Sequence, residues 1–445
     1  MKEKISAFKL HKWPQIIIFV AFVAVTSTAL YFSQKSVISF LLLLSSLLLI
    51  YYMNLKNITK WIMGATLLFV LIPLASSGGP AFQSYMEVAT MVGIYVTMAL
   101  GLNIVVGMAG LLDLGFVAFF AVGAYSYSIF ATPQAANFMP FGNYPLDGNS
   151  FWIFLIIGAI AAAVVGVLIG IPVLRVKGDY LAIVTLGFGE IIRIVFNNGD
   201  APINITGGAM GIASVTPPKI FGYEIVYPNQ FYFITLVILL FTLFAILRLE
   251  RSKIGRSWKA IRENEIAAQA MGIPLVKTKL MAFALGASFS GMMGVVFAAK
   301  QAFIDPTSFT LMESFTILVM VVLGGMGSVP GVILGAAVVT ILNLQVLTEL
   351  TNWVNQLNIS GVVSIPDALS PAKMQKFIFG ALLIIFALYR SSGLIPAKNK
   401  VFNEKKLADD EIEPSNSQDN NKNGKQIVTV ASSDSKSTEQ TKIYS

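Results

Sequence analysis

The sequence predicts an all-α integral membrane protein, a polytopic helical bundle of about 10–12 transmembrane segments, some of them re-entrant candidates. Three observations predict it. Apolar residues make up 56% of the 445-residue chain and charged residues 12%, with a mean hydropathy of +0.74; a soluble domain carries roughly twice that charge. Apolar runs near the ~20 residues needed to cross the hydrocarbon recur along the chain. They lack the polar alternation of strands, and a segment in hydrocarbon must satisfy its own backbone hydrogen bonds, so helices are expected.

The runs fall at 14–32, 37–53, 61–75, 85–106, 115–131, 151–174, 180–197, 231–248, 280–299, 312–324, 331–347 and 377–389. Lys2, Lys4, Lys9 and Lys12 precede the first run, as in a signal peptide, but the run is long and only Ser27-x-Ala29 offers a small-x-small site; it is read as a retained first helix. Runs 115–131 and 312–324 are candidates for half-helices that dip in and return. Arg248, Arg251, Lys253, Arg256, Lys259, Arg262, Lys277 and Lys279 crowd the stretch 247–279. That excess of basic residues marks a cytoplasmic loop. Counting spans puts Arg175, Lys177, Lys56, Lys60 and both termini on the same side, with 76–84, 132–150 and 198–230 outside. From about Ala397 the chain turns to Asn, Ser, Asp, Lys and Gln, and 398–445 is expected to be a disordered cytoplasmic tail.

The same inventory removes several functions. There is no cysteine, and His11 is the single histidine, so thiol chemistry, a His-based triad and a Cys/His metal site are excluded; no cofactor or metal is expected. The formal charge of +8 is spent in short loops and at the ends, which reads as topology rather than nucleic-acid binding. Gly424-Lys425 lacks the surroundings of a phosphate-binding loop, so ATP is not expected to bind this chain.

The stretch Gly255 to Pro274 is the most informative. As one helix from Ser257 to Met271, it places Trp258, Ile261, Ala268 and Met271 on one face, with Glu265 inside that face and Arg256, Lys259, Arg262 and Glu263 opposite. Gly272 and Pro274 stop it. Such a helix rests on lipid headgroups or docks in a partner's groove; the Glu265 carboxylate favours a partner offering a donor.

Ala267-Ala268, three residues, then Gly272 resembles the EAA-type coupling loop of ABC importer permeases. The family's Glu is replaced by Ile266, and Glu265 is displaced by one position. Gly101 to Gly115 with Phe116 to Tyr127, Lys177 to Arg193, Ile205 to Ile212, Ile254 to Pro274 and Leu323 to Gly331 together resemble the M-type permeases of branched-chain amino acid importers, within a wider family of amino-acid and urea permeases. The resemblance covers 85–390 as a permease core, with a coupling loop at 249–279 that follows N-terminal helices in 1–84. It implies transport of Leu, Ile and Val through a bacterial inner membrane. It also implies a second H-type permease, two cytoplasmic ATPase subunits, an extracytoplasmic binding protein and contact with membrane lipid. Trp258, Ile261, Glu265, Ala267, Ala268 and Gly272 are the expected ATPase-coupling residues. Urea, short amides or other amino acids remain alternative substrates, and an ion-coupled secondary transporter remains the alternative class.

Candidate groups for the substrate path follow from what a zwitterion needs: a helix N-terminus for its carboxylate and an apolar lining for its side chain. The similar stretches Gly107-Met-Ala-Gly110 and Gly325-Met-Gly327-Ser supply the turns, and Phe119 and Phe120 the lining. Asn103, Asp113, Glu190, Arg193 and Glu313 lie at membrane depth. Glu190 and Arg193, three apart, are expected to pair, and Asp113 to cap the helix beginning near Gly115.

Overall fold

The computed structural model describes residues 12–32, 57–77, 82–139, 142–176, 179–359, 370–389 and 393–396, with isolated positions between 42 and 53. The expected segment 37–53 lies mostly, and the expected tail 398–445 wholly, outside these residues. Helix α1 is Lys12–Phe32; α2 runs through Asn57–Thr66, a π turn at Leu67–Leu71 and Ile72–Ser76. α3 covers Phe82–Leu102 and ends in a π turn at Asn103–Met108. Then come α4 (Val117–Ser128), α5 (Phe151–Val173), α6 (Asp179–Asn197) and α7 (Pro228–Arg251). Two short helices, α8 (Lys253–Glu263) and α9 (Glu265–Ala270), lead into α10 (Leu275–Gln301). α11 (Leu311–Gly324) precedes α12, which runs from Val329 to Ile359 through a π turn at Leu342–Val346, and α13 is Gln375–Tyr389.

Six of these helices are long and apolar enough to cross a membrane. The chain is an all-α, multi-pass membrane protein. α4 and α11 have 12 and 14 residues, about 18 and 21 Å of helix, which is short of the ~30 Å hydrocarbon layer.

α10 sits at the centre, against α3, α4 and α5. Lipid chains are as apolar as leucine, so helices in a membrane gain little by hiding apolar side chains from one another; they associate where small residues let backbones approach. Here a Cβ added at Gly123 of α4 would fall on the carbonyl oxygen of Gly291 in α10, and one at Gly101 of α3 would lie 2.9 Å from the carbonyl of Gly286. Gly166 of α5 meets Ala287 in the same way. The outward side of α5 carries Ile153, Ile156, Ile160, Val164, Leu168 and Ile171, all exposed, at the three- and four-residue spacing of one helix face.

The segment between α7 and α10 defines a near end of the bundle. Gly107 at the end of α3 lies there beside Arg262. So does the end of α5, where Gly170 packs on Leu280, and residues 394–395, which hydrogen-bond to the carbonyls of Leu323 and Gly324. At the far end, a two-stranded ladder joins β1 (Ile212–Ala213) to β4 (Phe303–Ile304), and β2 (Lys219–Ile220) pairs with β3 (Tyr223–Glu224). Lys219 lies 3.1 Å from Asp147 and 3.3 Å from Glu224. Its hydrogen bond holds the Asp147 carboxyl below the usual range, and the two carboxylates raise Lys219.

Gly123→Ala is expected to destabilise the bundle by about 1–3 kcal/mol, because the new methyl must push α4 off α10. A lowered melting temperature in detergent checks this; an unchanged one would remove the close crossing as a determinant of stability.

Candidate functional site

The crossover between α7 and α10 is built from two capped helices. Ser252 caps α8, its Oγ accepting from Gly255 N at 3.2 Å. The single helix expected from Ser257 to Met271 is corrected: Asn264 adopts an extended conformation, ends α8, and caps α9 by accepting from Ala267 N at 3.0 Å. Asparagine offers the backbone this alternative to helical pairing. Gly272, at φ +82°, closes α9 in the left-handed conformation that favours glycine, and Pro274 follows.

The residues of the expected docking face are divided between inside and outside. Trp258, Ile261 and Ala268 are buried against this chain itself. Trp258 Nε1 donates to the Thr278 carbonyl at 2.8 Å, stapling α8 onto the start of α10. Glu265 finds its donor within the chain, at 2.8 Å from Lys279 Nζ. Of the expected face Met271 stays outward, at 83% exposure, together with Ile266 at 81%; Ala267 and Gly272 are exposed as well.

Arg262, placed by periodicity on the polar face, reaches into the membrane end of the bundle. Its guanidinium donates to the Gly107 carbonyl in the π turn of α3. Gly110, at φ +73°, leaves room for the arginine stem: a Cβ there would lie 2.9 Å from Arg262 Cγ. Gly327, at φ +82°, would bring a Cβ to 2.6 Å from Arg262 Nη1 and 2.9 Å from the Gly107 carbonyl. Asn103, fully buried, accepts from Gly327 N at 2.8 Å. Gly325 is packed against Gly393. So Gly107, Gly110 and Gly327, distant in sequence, meet around one cation, and Asn103 ties two of the chain reversals together.

The phenylalanines belong elsewhere. Phe120 packs on Phe297 and Phe309, with ring centroids 5.1 and 5.7 Å away, and Phe119 meets Phe116 edge-on at 5.8 Å. Phe309 precedes α11 and Gly325 follows it, so about 21 Å of helix separates Phe120's neighbour from the glycine turn. One small-molecule pocket does not hold both sets. In the turn before α12, Ser328 caps the helix by accepting from Gly331 N, and Gly327 N donates to Asn103. Asp113 accepts from Gly115 N at 2.9 Å, ahead of α4. Glu190 and Arg193 pair at 2.8 Å. Among the described residues no three Asp, Glu or His side chains gather as metal ligands.

Sequence reasoning missed Arg262. The signal available was the spacing of Asn103 and Gly107, one turn apart in an apolar helix, which marks a polar group and a gap on one helix side.

Comparison with known proteins bears on this arrangement. Residues 84–387 match the family model described as branched-chain amino acid transport system / permease component. Over 333 residues the chain is 37% identical to the high-affinity branched-chain amino acid transport system permease protein LivM of Salmonella typhimurium, covering 70% of this chain and 69% of that one. The LivM of Escherichia coli matches to the same extent. A probable LivM of Methanocaldococcus jannaschii is 28% identical over 67% of this chain and 84% of its own. No solved structure matches. With its matched region spanning the whole bundle from α3 to α13, the chain belongs to the branched-chain amino acid transport permease family.

Proposed function

We propose that this chain is the permease subunit of an ABC importer that carries leucine, isoleucine and valine across a bacterial inner membrane, driven by ATP hydrolysed on separate chains. In this reading the near end faces the cytoplasm, two ATPase subunits hold it, an H-type permease completes the membrane pore, and an extracytoplasmic binding protein delivers substrate to the far end. Family membership supports the transport of branched-chain amino acids. The observation that carries the mechanism is the seat of Arg262: a helix outside the membrane span holds, through one side chain, the two glycine turns at which α3 ends and α12 begins.

The ATPase groove takes the outward side of α9, with Ile266 and Met271 as apolar anchors and Gly272 setting the chain's exit. Closure of the ATPase pair on ATP moves α9 and, through the Trp258 staple, α8 and the start of α10 with it. Arg262 then shifts against the Gly107 carbonyl and Gly327, and the bundle changes its opening. Coupling of this kind between distant sites is typically worth 1–3 kcal/mol. No step of ATP chemistry falls on this chain.

The first test is isolation of the subunit from its native membrane with its partners, reconstitution with the binding protein, and measurement of uptake. Leucine, isoleucine and valine accumulation that requires ATP is expected; uptake driven by a proton or sodium gradient without ATP would overturn the reading.

A second test separates the two faces of the crossover. Ile266→Asp and Met271→Asp alter exposed side chains, so the subunit is expected to insert and melt normally while losing most co-purifying ATPase. Trp258→Ala is expected to cost the chain itself about 3–5 kcal/mol. ATPase recovery unchanged in both aspartate variants would exclude the outward face of α9 as the dock.

Arg262→Ala is expected to lower ATP-driven uptake about tenfold while the ATPase still co-purifies and hydrolyses ATP. Uptake and hydrolysis that fall in proportion would mean Arg262 supports assembly rather than coupling.

A further inference from the structure

α6 is the least covered of the long helices: only 22% of its spanning stretch is buried. Its one sealed side is well defined. Thr185 Oγ1 accepts from Leu114 N at 3.0 Å, a Cβ on Gly189 would lie 3.0 Å from the Cα of Gly115, and the Phe196 ring stacks on Tyr125 at 4.2 Å. At 100° per residue, Leu186, Glu190, Arg193 and Asn197 form a second strip about a quarter turn away. Ile183, Ile191, Ile194 and Val195 form a third, strongly exposed and wholly apolar.

The second strip does not suit lipid. Glu190 and Arg193 lie inside the span and their side chains stay 30% and 31% exposed. Their bond uses Arg193 Nε and Glu190 Oε2. Among the described residues, the terminal guanidinium nitrogens and Oε1 meet no partner. Ionisable groups within a span face a protein interior or a water-filled cavity, because hydrocarbon offers these free donors and acceptors no partner. The third strip can face lipid, and the first is sealed, so the charged strip is the side of α6 that turns to water.

We propose that this strip lines the aqueous substrate path and binds the head group of a zwitterionic α-amino acid: Glu190 Oε1 accepts from the ammonium, the free Arg193 nitrogens donate to the carboxylate, and the aliphatic side chain lies along Leu186. A second membrane subunit closes the path from the other side. The proposal rests on the transport reading above and assigns it a substrate contact. An adjacent pair of opposite charges matches the two charges of an amino acid, and it has no such match to a neutral amide or to urea.

The chain has no cysteine of its own, so single-cysteine variants need no background change. Leu186→Cys on the charged strip and Val195→Cys on the apolar strip are compared in the assembled importer in proteoliposomes. The probe is a charged, water-soluble methanethiosulfonate, and labelling of this chain is read by mass spectrometry. Leu186→Cys is expected to label at least tenfold faster than Val195→Cys. Leucine is expected to slow that labelling severalfold. Isovaleramide, which keeps the branched chain and lacks both charges, is expected not to slow it, and Arg193→Gln is expected to abolish protection by leucine. Labelling of Leu186→Cys as slow as that of Val195→Cys means a dry helix contact and overturns the path. Fast labelling that leucine does not slow, or that isovaleramide slows equally, overturns the head-group contact. ATP-driven leucine uptake by the unmodified importer is measured alongside; its absence counts against the transport reading, whereas the labelling contrast judges the strip itself.

Discussion

Where α3 ends in a π turn, the Gly107 carbonyl takes its hydrogen bond from the Arg262 guanidinium. The rest of the near end follows from this one bond. The guanidinium can reach the carbonyl only where Gly110 and Gly327 carry no side chain. Both glycines sit at positive φ, which lets the chain reverse after α3 and before α12 without a strained residue. Asn103 then supplies the oxygen that Gly327 N needs. Two bonds thus tie α8 and the turn before α12 to the end of α3, so moving one of these segments moves the others.

The fold was legible because hydrocarbon imposes a simple rule on sequence. A spanning helix must be apolar over its length, and runs such as 151–174 and 180–197 map onto α5 and α6 with small shifts at the ends. The pairing of Glu190 with Arg193 was legible for the same reason, as both residues lie on one helix three positions apart. Where the reading went wrong, two local signals competed. The apolar spacing of Trp258, Ile261, Ala268 and Met271 runs straight through Asn264 and hides the cap there. An asparagine followed by Glu at the first helical position was the evidence for a new start. Periodicity also cannot say which way an apolar face points. In a crossover lying against its own bundle, Trp258, Ile261 and Ala268 are consumed inside, and Ile266, which interrupts the pattern, and Met271, at its end, stay outward.

The pocket was less legible than the fold because it depends on contacts between segments far apart in sequence. Gly107 and Gly327 were recognised as turns, and turns beside helix ends are reasonable anion sites in general. Here Gly327 N is committed to Asn103 and Gly331 N to the Ser328 cap. The aromatic lining expected beside them lies at the other end of α11. A turn becomes a binding site only when its amide groups are left over after the fold is satisfied, and nothing in a single sequence reports that balance.

The same balance separates the two ends of the mechanism. At the near end the Arg262 bond to the Gly107 carbonyl and the Asn103 bond to Gly327 N join α8, α3 and the turn before α12, which suits the displacement that the proposed coupling requires. The second strip of α6 carries charge instead of a tie between segments. Glu190 and Arg193 satisfy one another through a single bond and keep further donors and acceptors free, at a depth where free groups are tolerated only beside water or a ligand. In the proposed mechanism, a junction that ties three segments together and a charge strip that keeps donors and acceptors free are complementary requirements of a transporter that must be stiff where force enters and adaptable where cargo passes.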